Sequence, residues 1–399
     1  MRIAHLSTSQ SGGAGIAAKR SSDALKSIGI ENDFFALKAG GLSHNTDVQT
    51  ILRTRSEVFR SRSLTVLQKH LIQRGDDLLT PISLEPRAVR DIFQEYDLLH
   101  IHSTYNILRH NGFKELLQSG KSVVITLHDQ RWFTGGCHYS GECEKYKIDC
   151  KECPQATDLG KRFVSQTFQN YLSILSSNPN LKVISPSSWL ARKALESRIF
   201  SDVNLRVIRN PIPTTALDFS HRDLSRENYQ RNQIRIIAFV AENLQNPLKG
   251  LNVVLNAFDL MHQAQREKFQ LLLIGNNPPN LNNMNVSTRH VVIEDSESLI
   301  SHLSVSDLLV VPSFQDNLPN VIGEAYSSGI KILGSDVGGI PEVVSTVTGD
   351  LFQRGNHHAL SRKLLDFDFD YSRDEVISFF ESNFSYKNVG EKISNFYME

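Results

Sequence analysis

The chain has 399 residues, 40% of them hydrophobic, and its 43 lysines and arginines balance 43 aspartates and glutamates. That length exceeds one ordinary hydrophobic core, so two domains of roughly 200 residues each are expected. The even charge excludes a global basic field for nucleic acid and an acidic solvating tail.

The opening stretch MRIAHLSTSQSGGAG has too short an apolar run for a secretory signal, and no later run reaches the about 18 apolar residues of a membrane span. The chain therefore reads as cytoplasmic. Short β-branched runs alternate with helical stretches: RIAHLS, NDFFAL, DLLHIHS, SVVITLHD and LKVISPS, then RIIAFV, FQLLLIG, RHVVIE, DLLVVPS and KILGSD. Such alternation implies an α/β chain of two doubly wound, Rossmann-like domains, each a parallel sheet covered by helices on both faces.

After the first strand, SGGAGIAAKR offers Gly12, Gly13 and Gly15 for a tight turn and a close approach of ligand to backbone before a helix starts. It is not G-x-G-x-x-G with an acidic partner downstream, so a dinucleotide fingerprint fits poorly. A plain strand-to-helix connection stands equally open. Further on, residues 53–74 carry Phe59, Val66, Leu67 and Leu71 at helical spacing among Arg53, Arg55, Arg60, Arg62, Lys69 and Arg74. This is read as a solvated surface helix, with contact at the inner face of a membrane, through lipid phosphate, as the second reading.

His100 and His102 reach a strand end in DLLHIHSTYN, where structure and a place beside the acceptor are equally open. The next strand delivers His128 and Asp129 to the carboxyl edge of the N-terminal sheet. All four cysteines follow, Cys137, Cys143, Cys150 and Cys153, spaced C-x5-C-x6-C-x2-C. Clustering in a reducing compartment favours metal over disulfides, and four thiolates would make a closed, structural zinc site pinning a segment with little apolar mass. Reduced buried thiols and a redox pair remain open. A zinc hydrolase fits least, because His128 to Cys137 offers no helix-spaced ligand set.

Two prolines and a polar stretch at 209–233 mark a break between domains, with a hinge near Asn210. The most informative block is DLLVVPSFQDNLPNVIGEAYSSGIKILGSDVGGIPEVV, residues 307–344. A buried strand ending at Ser313 leads into a polar loop. Pro319 in the first turn of the next helix leaves main-chain N–H groups at its positive end, a good phosphate site. Asp316 and Glu324, seven residues apart in between, can both face the crevice at the carboxyl edge of the sheet. Carboxylates repel phosphate, so their natural partners are the hydroxyls of a ribose and a sugar.

The D-x7-E block, GGIPEVV after the next strand, KG at Lys249 and Gly250, SPSSWLARKA and NPIP together resemble the retaining GT-B glycosyltransferases of glycosyltransferase family 4, the glycosyl transferases group 1. The resemblance covers nearly the whole chain. It implies an interdomain cleft between an acceptor-side domain at 1–209, with a Cys-rich loop at 130–155, and a nucleotide-sugar domain at 210–384. It also implies that the tail FSYKNVGEKISNFY, within 385–399, is a helix crossing back to the first domain.

By that resemblance Glu324 binds the ribose hydroxyls and Asp316 the donor sugar. N–H groups near Asn317, Leu318 and Asn320 meet the diphosphate, Lys249 supplies the cation, and the turn at Gly12 and Gly13 approaches the phosphates. His128 reaches the transferred sugar, and no catalytic cofactor is implied. The implied reaction moves a sugar from a nucleoside diphosphate sugar to a hydroxyl acceptor with retention, the acceptor being a saccharide or lipid-linked glycan of surface polysaccharide assembly. Two departures stand out: Asp316 replaces the commoner Glu, and the family's phosphate-binding Arg is absent from AENLQNPLKG, where Glu242 and Asn243 lie. A sugar-nucleotide epimerase, a phosphorylase of the same fold, and a non-catalytic nucleotide-sugar-binding partner are the alternatives.

Overall fold

A computed structural model describes residues 1–38, 47–51, 53–72, 87–103, 107–108, 110–176, 178–214, 234–281, 284–293 and 295–399. The chain forms two compact units, Met1–Pro211 with Val389–Glu399, and Ile212–Asn388.

The first unit is built on β1 (Ile3–Ser9), β2 (Asp33–Lys38), β3 (Val48–Thr50), β4 (Leu98–Ile101), β5 (Ser122–Thr126), β6 (Leu181–Ser185) and β7 (Asn204–Val207), in spatial order β3-β2-β1-β4-β5-β6-β7. Every pairing in this sheet is parallel. The strand order reverses between β1 and β4, and parallel sheets of this kind leave a crevice at the carboxyl ends of such a pair.

Side chains alternate across the sheet, as the two-residue period of a strand requires. Ala4, Leu99, Val123 and Val183 enter one core, and Ile3, Leu98, Val124 and Ile184 the other. The tail forms the helix Tyr386–Met398. Its Val389, Ile393, Phe396 and Tyr397, spaced for one helical face, complete that second core.

The second unit holds β8 (Arg235–Asn243), β9 (Phe269–Asn276), β10 (Ser287–Val291), β11 (Leu308–Val311), β12 (Ile332–Ser335) and β13 (Gly349–Phe352), in order β10-β9-β8-β11-β12-β13, again all parallel. Its order reverses between β8 and β11. Ala238, Leu272 and Leu309 pack on one face, and Ile237, Leu271 and Leu308 on the other.

Two boundaries and one expectation about packing differ from the sequence reading. β11 stops at Val311 rather than Ser313 because Pro312 has no N–H for the ladder. The following helix is Asn320–Ser327, so Pro319 stands at its N-cap instead of inside its first turn. The segment around the cysteines is not poor in apolar mass, since Tyr146 is 1% exposed within it and packs on Phe133.

The basic stretch forms the helix Arg55–Leu71, opened by a capping box of Thr54 and Glu57. Phe59 and Val66 are exposed on it while Leu71 is buried. The side chains of Leu67 and Lys69, and all of Arg74, lie outside the described residues, as does most of the 209–233 break. Among the described residues no helix is long and apolar enough to cross a membrane.

Candidate functional site

In the second unit, the ends of β8 and β11 flank the switch point, and the turns that follow them meet. The turn after β8 carries Lys249 in the short helix Pro247–Lys249, with Asn246 accepting the N–H of Leu248 at its start. Phe314 donates its N–H to the Leu248 carbonyl at 2.8 Å, which ties this turn to the loop after β11.

Gly250 makes that approach possible. Its φ is 76°, and a Cβ there would stand 2.2 Å from the Pro312 carbonyl oxygen. Gly338 does the same for the other side of the loop, where a Cβ would stand 1.7 Å from the Asp316 oxygen at φ 59°. The KG and GG pairs are thus the clamps that shape the Asp316 loop.

Inside the loop, Lys249 Nζ donates to Asp316 Oδ2 at 2.5 Å, and the hydroxyl of Ser313 lies 3.4 Å from the same oxygen. Asp316 and Glu324 are both buried, 7% and 5% exposed, on opposite sides of the start of helix Asn320–Ser327. Among the described residues no side chain caps that start. The Asn317 carbonyl accepts the Gly339 N–H at 2.6 Å, and the Leu318 side chain joins the apolar core, so Leu318 can offer a ligand its main chain rather than its side chain. Lys249 also lines a small cavity with Ser313, Pro319 and Val321. Where the sequence reading noted a missing Arg, Glu242 is exposed, and Asn243 accepts from the Gln245 N–H and the Asn277 amide.

In the first unit, β1 ends at the turn into helix Gly12–Ser27, with Ser11 as its N-cap residue and Gly12 at φ 73°. Gly13 faces open space, with nothing within 4 Å of a Cβ built there. His128 follows β5. Asp129 beside it turns away: it accepts from the Arg131 main-chain N–H at 2.8 Å and from the Arg131 guanidinium Nε–H at 2.8 Å, with His138 3.8 Å off. Burial alone would raise its pKa, but Arg131 and His138 hold it below the usual carboxylate range. Asp129 therefore anchors its loop.

Behind His128 lies a set of buried imidazoles. His102 Nδ1 is 3.1 Å from His128 Nε2, and His102 Nε2 is 3.1 Å from His5 Nδ1. His100 bonds the Thr126 hydroxyl through Nε2 and the Tyr397 hydroxyl through Nδ1, each at 2.6 Å. Burial lowers all four pKa values, His128 to about 4 and His5 to about 3, so each ring is neutral at pH 7.

Ligand atoms of His5, His100 and His102 fall within 4.8 Å of one another, close enough for a metal ion. Both nitrogens of His100 and both of His102 already serve hydrogen bonds, which a metal would have to displace, and His5 Nε2 is the cluster's nitrogen without a partner among the described residues. His100, wholly buried against the terminal helix, is a structural residue. His102 was visible in the sequence only as a strand-end histidine, and nothing in its spacing revealed its contact with His128.

The four cysteines are free thiols. They line one small cavity with Thr134, Ser140 and Tyr146, and left-handed backbone at Cys150 and Glu152 turns the chain through the final C-x-x-C. Among the described residues the metal-ligand group within 4.8 Å is the histidine set, and the thiols do not form such a group. Hydrogen bonding to Cys153, then burial and the neighbouring thiols, pushes the Cys137 pKa up.

Residues 234–367 match the family described as "Glycosyl transferases group 1". The putative colanic acid biosynthesis glycosyl transferase WcaC of Escherichia coli K12 is 27% identical over 235 residues, 57% of this chain and 55% of that one. N-acetyl-alpha-D-glucosaminyl L-malate synthase of Bacillus anthracis is 25% identical over 130 residues, 31% of each chain. The chain thus spans about half, or less, of the length of these curated relatives.

Among solved structures, Anabaena HepE in complex with UDP superposes with a TM-score of 0.62 at 14% identity, covering 99% of both chains. A Rickettsia africae glycosyltransferase gives 0.65 at 14% identity over 99% of this chain and 97% of its own. The sucrose-phosphate synthase of Thermosynechococcus elongatus gives 0.64 at 17% identity, covering 100% and 98%. At these identities the likeness establishes the fold, the two Rossmann-like domains of GT-B glycosyltransferases.

Proposed function

We propose that the protein is a retaining glycosyltransferase that moves a sugar from a nucleoside diphosphate sugar to a hydroxyl acceptor. The carrying observation is the Lys249–Asp316 pair with buried Glu324 at the β8/β11 switch point, inside the region that matches group 1 glycosyl transferases. The name of WcaC supports a saccharide or lipid-linked acceptor in surface polysaccharide assembly. The HepE structures with UDP and with UDP-glucose support the class of donor.

In this reading Glu324 takes the ribose hydroxyls and Asp316 the hydroxyls of the donor sugar. Lys249 and the N–H groups at Asn317, Leu318 and Asn320 hold the diphosphate, aided by the turn at Gly12 and Gly13. His128, neutral at pH 7, orients the sugar by a hydrogen bond and is no general base. The bond from the anomeric carbon to the diphosphate breaks, a bond to the acceptor oxygen forms on the same face, and the acceptor proton passes to the departing diphosphate. Positioning and electrostatic stabilisation supply the acceleration.

The cysteine segment would play a separate, architectural part: Cys137, Cys143, Cys150 and Cys153 line one cavity without forming a ligand group as they stand, and would have to draw together to hold one structural zinc, which four sulfurs suit and which would leave no open position for chemistry. The exposed Phe59 and Val66 among Arg55, Arg60 and Arg62 would rest at the inner membrane face beside a lipid-linked acceptor.

Product analysis with and without acceptor tests the reaction. Transfer yields free nucleoside diphosphate and a lengthened glycan only when acceptor is present. Conversion of the sugar nucleotide without acceptor would instead mark an epimerase, and binding without turnover across a broad acceptor panel would mark a non-catalytic partner.

A further inference from the structure

His5, His102 and His128 form one hydrogen-bonded chain that runs from the interior of β1 to the carboxyl edge of the sheet. Its links are His5 Nδ1 to His102 Nε2 and His102 Nδ1 to His128 Nε2, each at 3.1 Å. His5 is fully buried and His102 is 2% exposed, so water does not substitute for either link. The chain ends inward on His5 Nε2, a buried nitrogen with no hydrogen-bond partner among the described residues.

Neutral imidazole carries one proton on one of two nitrogens, donating through one and accepting through the other. His102 must therefore donate to one neighbour and accept from the other, and only two arrangements satisfy both links. In one, all three rings carry the proton on Nδ1: His5 donates to His102, His102 donates to His128, and the lone end is a bare His5 Nε2. In the other, all three carry it on Nε2, and the lone end is a buried N–H with nothing to receive it. Orphaned buried N–H groups are the rarer defect in folded proteins.

We infer that His5 and His102 are positioning residues that fix the tautomer of His128, holding its Nε2 as acceptor and presenting its Nδ1–H as a donor for a ligand hydroxyl. The part of this that concerns a sugar rests on the transfer reading above. The tautomer itself does not, because it follows from the three rings alone. The device resembles the way an outer partner sets which nitrogen of a metal-bound or catalytic histidine is free to act.

Nitrogen NMR of protein carrying 15N-labelled histidine, at pH 7.5, reads the tautomers directly. The expected result is a protonated Nδ1 and an unprotonated Nε2 at His128 in the wild-type chain, becoming a mixture in both His5→Phe and His102→Phe. With a working donor and acceptor, His102→Phe should lower kcat about tenfold, the effect of losing one oriented hydrogen bond, while KM for the donor moves less. A protonated Nε2 at His128 in the wild type, or a His128 tautomer indifferent to both substitutions, would overturn the inference. Should the tautomer behave as expected while no sugar nucleotide is turned over, the transfer reading fails and the relay stands.

Discussion

Lys249 Nζ donates to Asp316 Oδ2 at 2.5 Å, across 67 residues of sequence, and this contact closes the loop after β11 onto the turn after β8. The same lysine is the cation proposed for the donor diphosphate, so bound donor and Asp316 share one ammonium. Lys249→Ala should weaken nucleoside diphosphate binding by roughly 10- to 100-fold, the loss of one charge-assisted hydrogen bond. It should also destabilise the chain by about 1 to 3 kcal/mol, because the buried Asp316 carboxylate loses its cation and keeps only the long contact with the Ser313 hydroxyl. Calorimetry and denaturant melts read the two effects separately.

The glycines give a contrast. Gly338→Ala puts a Cβ into the Asp316 carbonyl at a positive φ and should cost about 1 to 3 kcal/mol together with donor affinity. Gly13→Ala meets nothing within 4 Å among the described residues, so its melting temperature should hold. A fall in activity for Gly13→Ala at unchanged stability would locate a ligand close to that backbone, whereas unchanged activity would leave the turn a plain connection.

Stability should fall in mild acid. His5, His100, His102 and His128 are held below the ordinary histidine value by burial, with Lys19 and Lys26 lowering His5 further, Arg131 lowering His128, and Asp129 opposing at His128. Between the unfolded value of 6.5 and the folded values the unfolded chain binds more protons, so stability is complete above about pH 6.5 and declines as pH drops toward 4. Each buried ring contributes at most about 1.4 kcal/mol per pH unit. A melting temperature constant from pH 7.5 to 5 would contradict this.

For the cysteine segment, elemental analysis of the purified protein should find about one zinc per chain. Chelation should lower the melting temperature before it affects transfer. Cys153→Ser should lose metal, and a metal-free chain with an unchanged melting temperature would remove the proposal.

The interior strands were readable because most are largely apolar and buried on both faces, as LLVV in β11 illustrates. The short edge strands β3, β7 and β13 were not, since VQT and NLRV are largely solvent-facing and GDLF has only its last two residues apolar. Gly250 and Gly338 could be picked out as motifs, but what they make room for is visible only in three dimensions.

The pairing of Lys249 with Asp316 likewise depends on two distant turns meeting. Tyr397 reaching His100 across 297 residues, and His102 passing between His5 and His128, carry no local spacing signal at all. Sequence marked the loops after these strands as candidate sites. The partners inside those loops were set by sheet order, which decides which strand ends are neighbours.

The most direct test of the account is titration calorimetry of the wild-type chain with UDP, GDP, ADP and their glucose or mannose derivatives, repeated with Glu324→Gln. The account predicts saturable binding of at least one of these nucleotides, weakened roughly tenfold or more in Glu324→Gln, where a carboxylate that receives ribose hydroxyls is replaced by an amide. No measurable heat with any of them, or affinity untouched by the loss of Glu324, would contradict it.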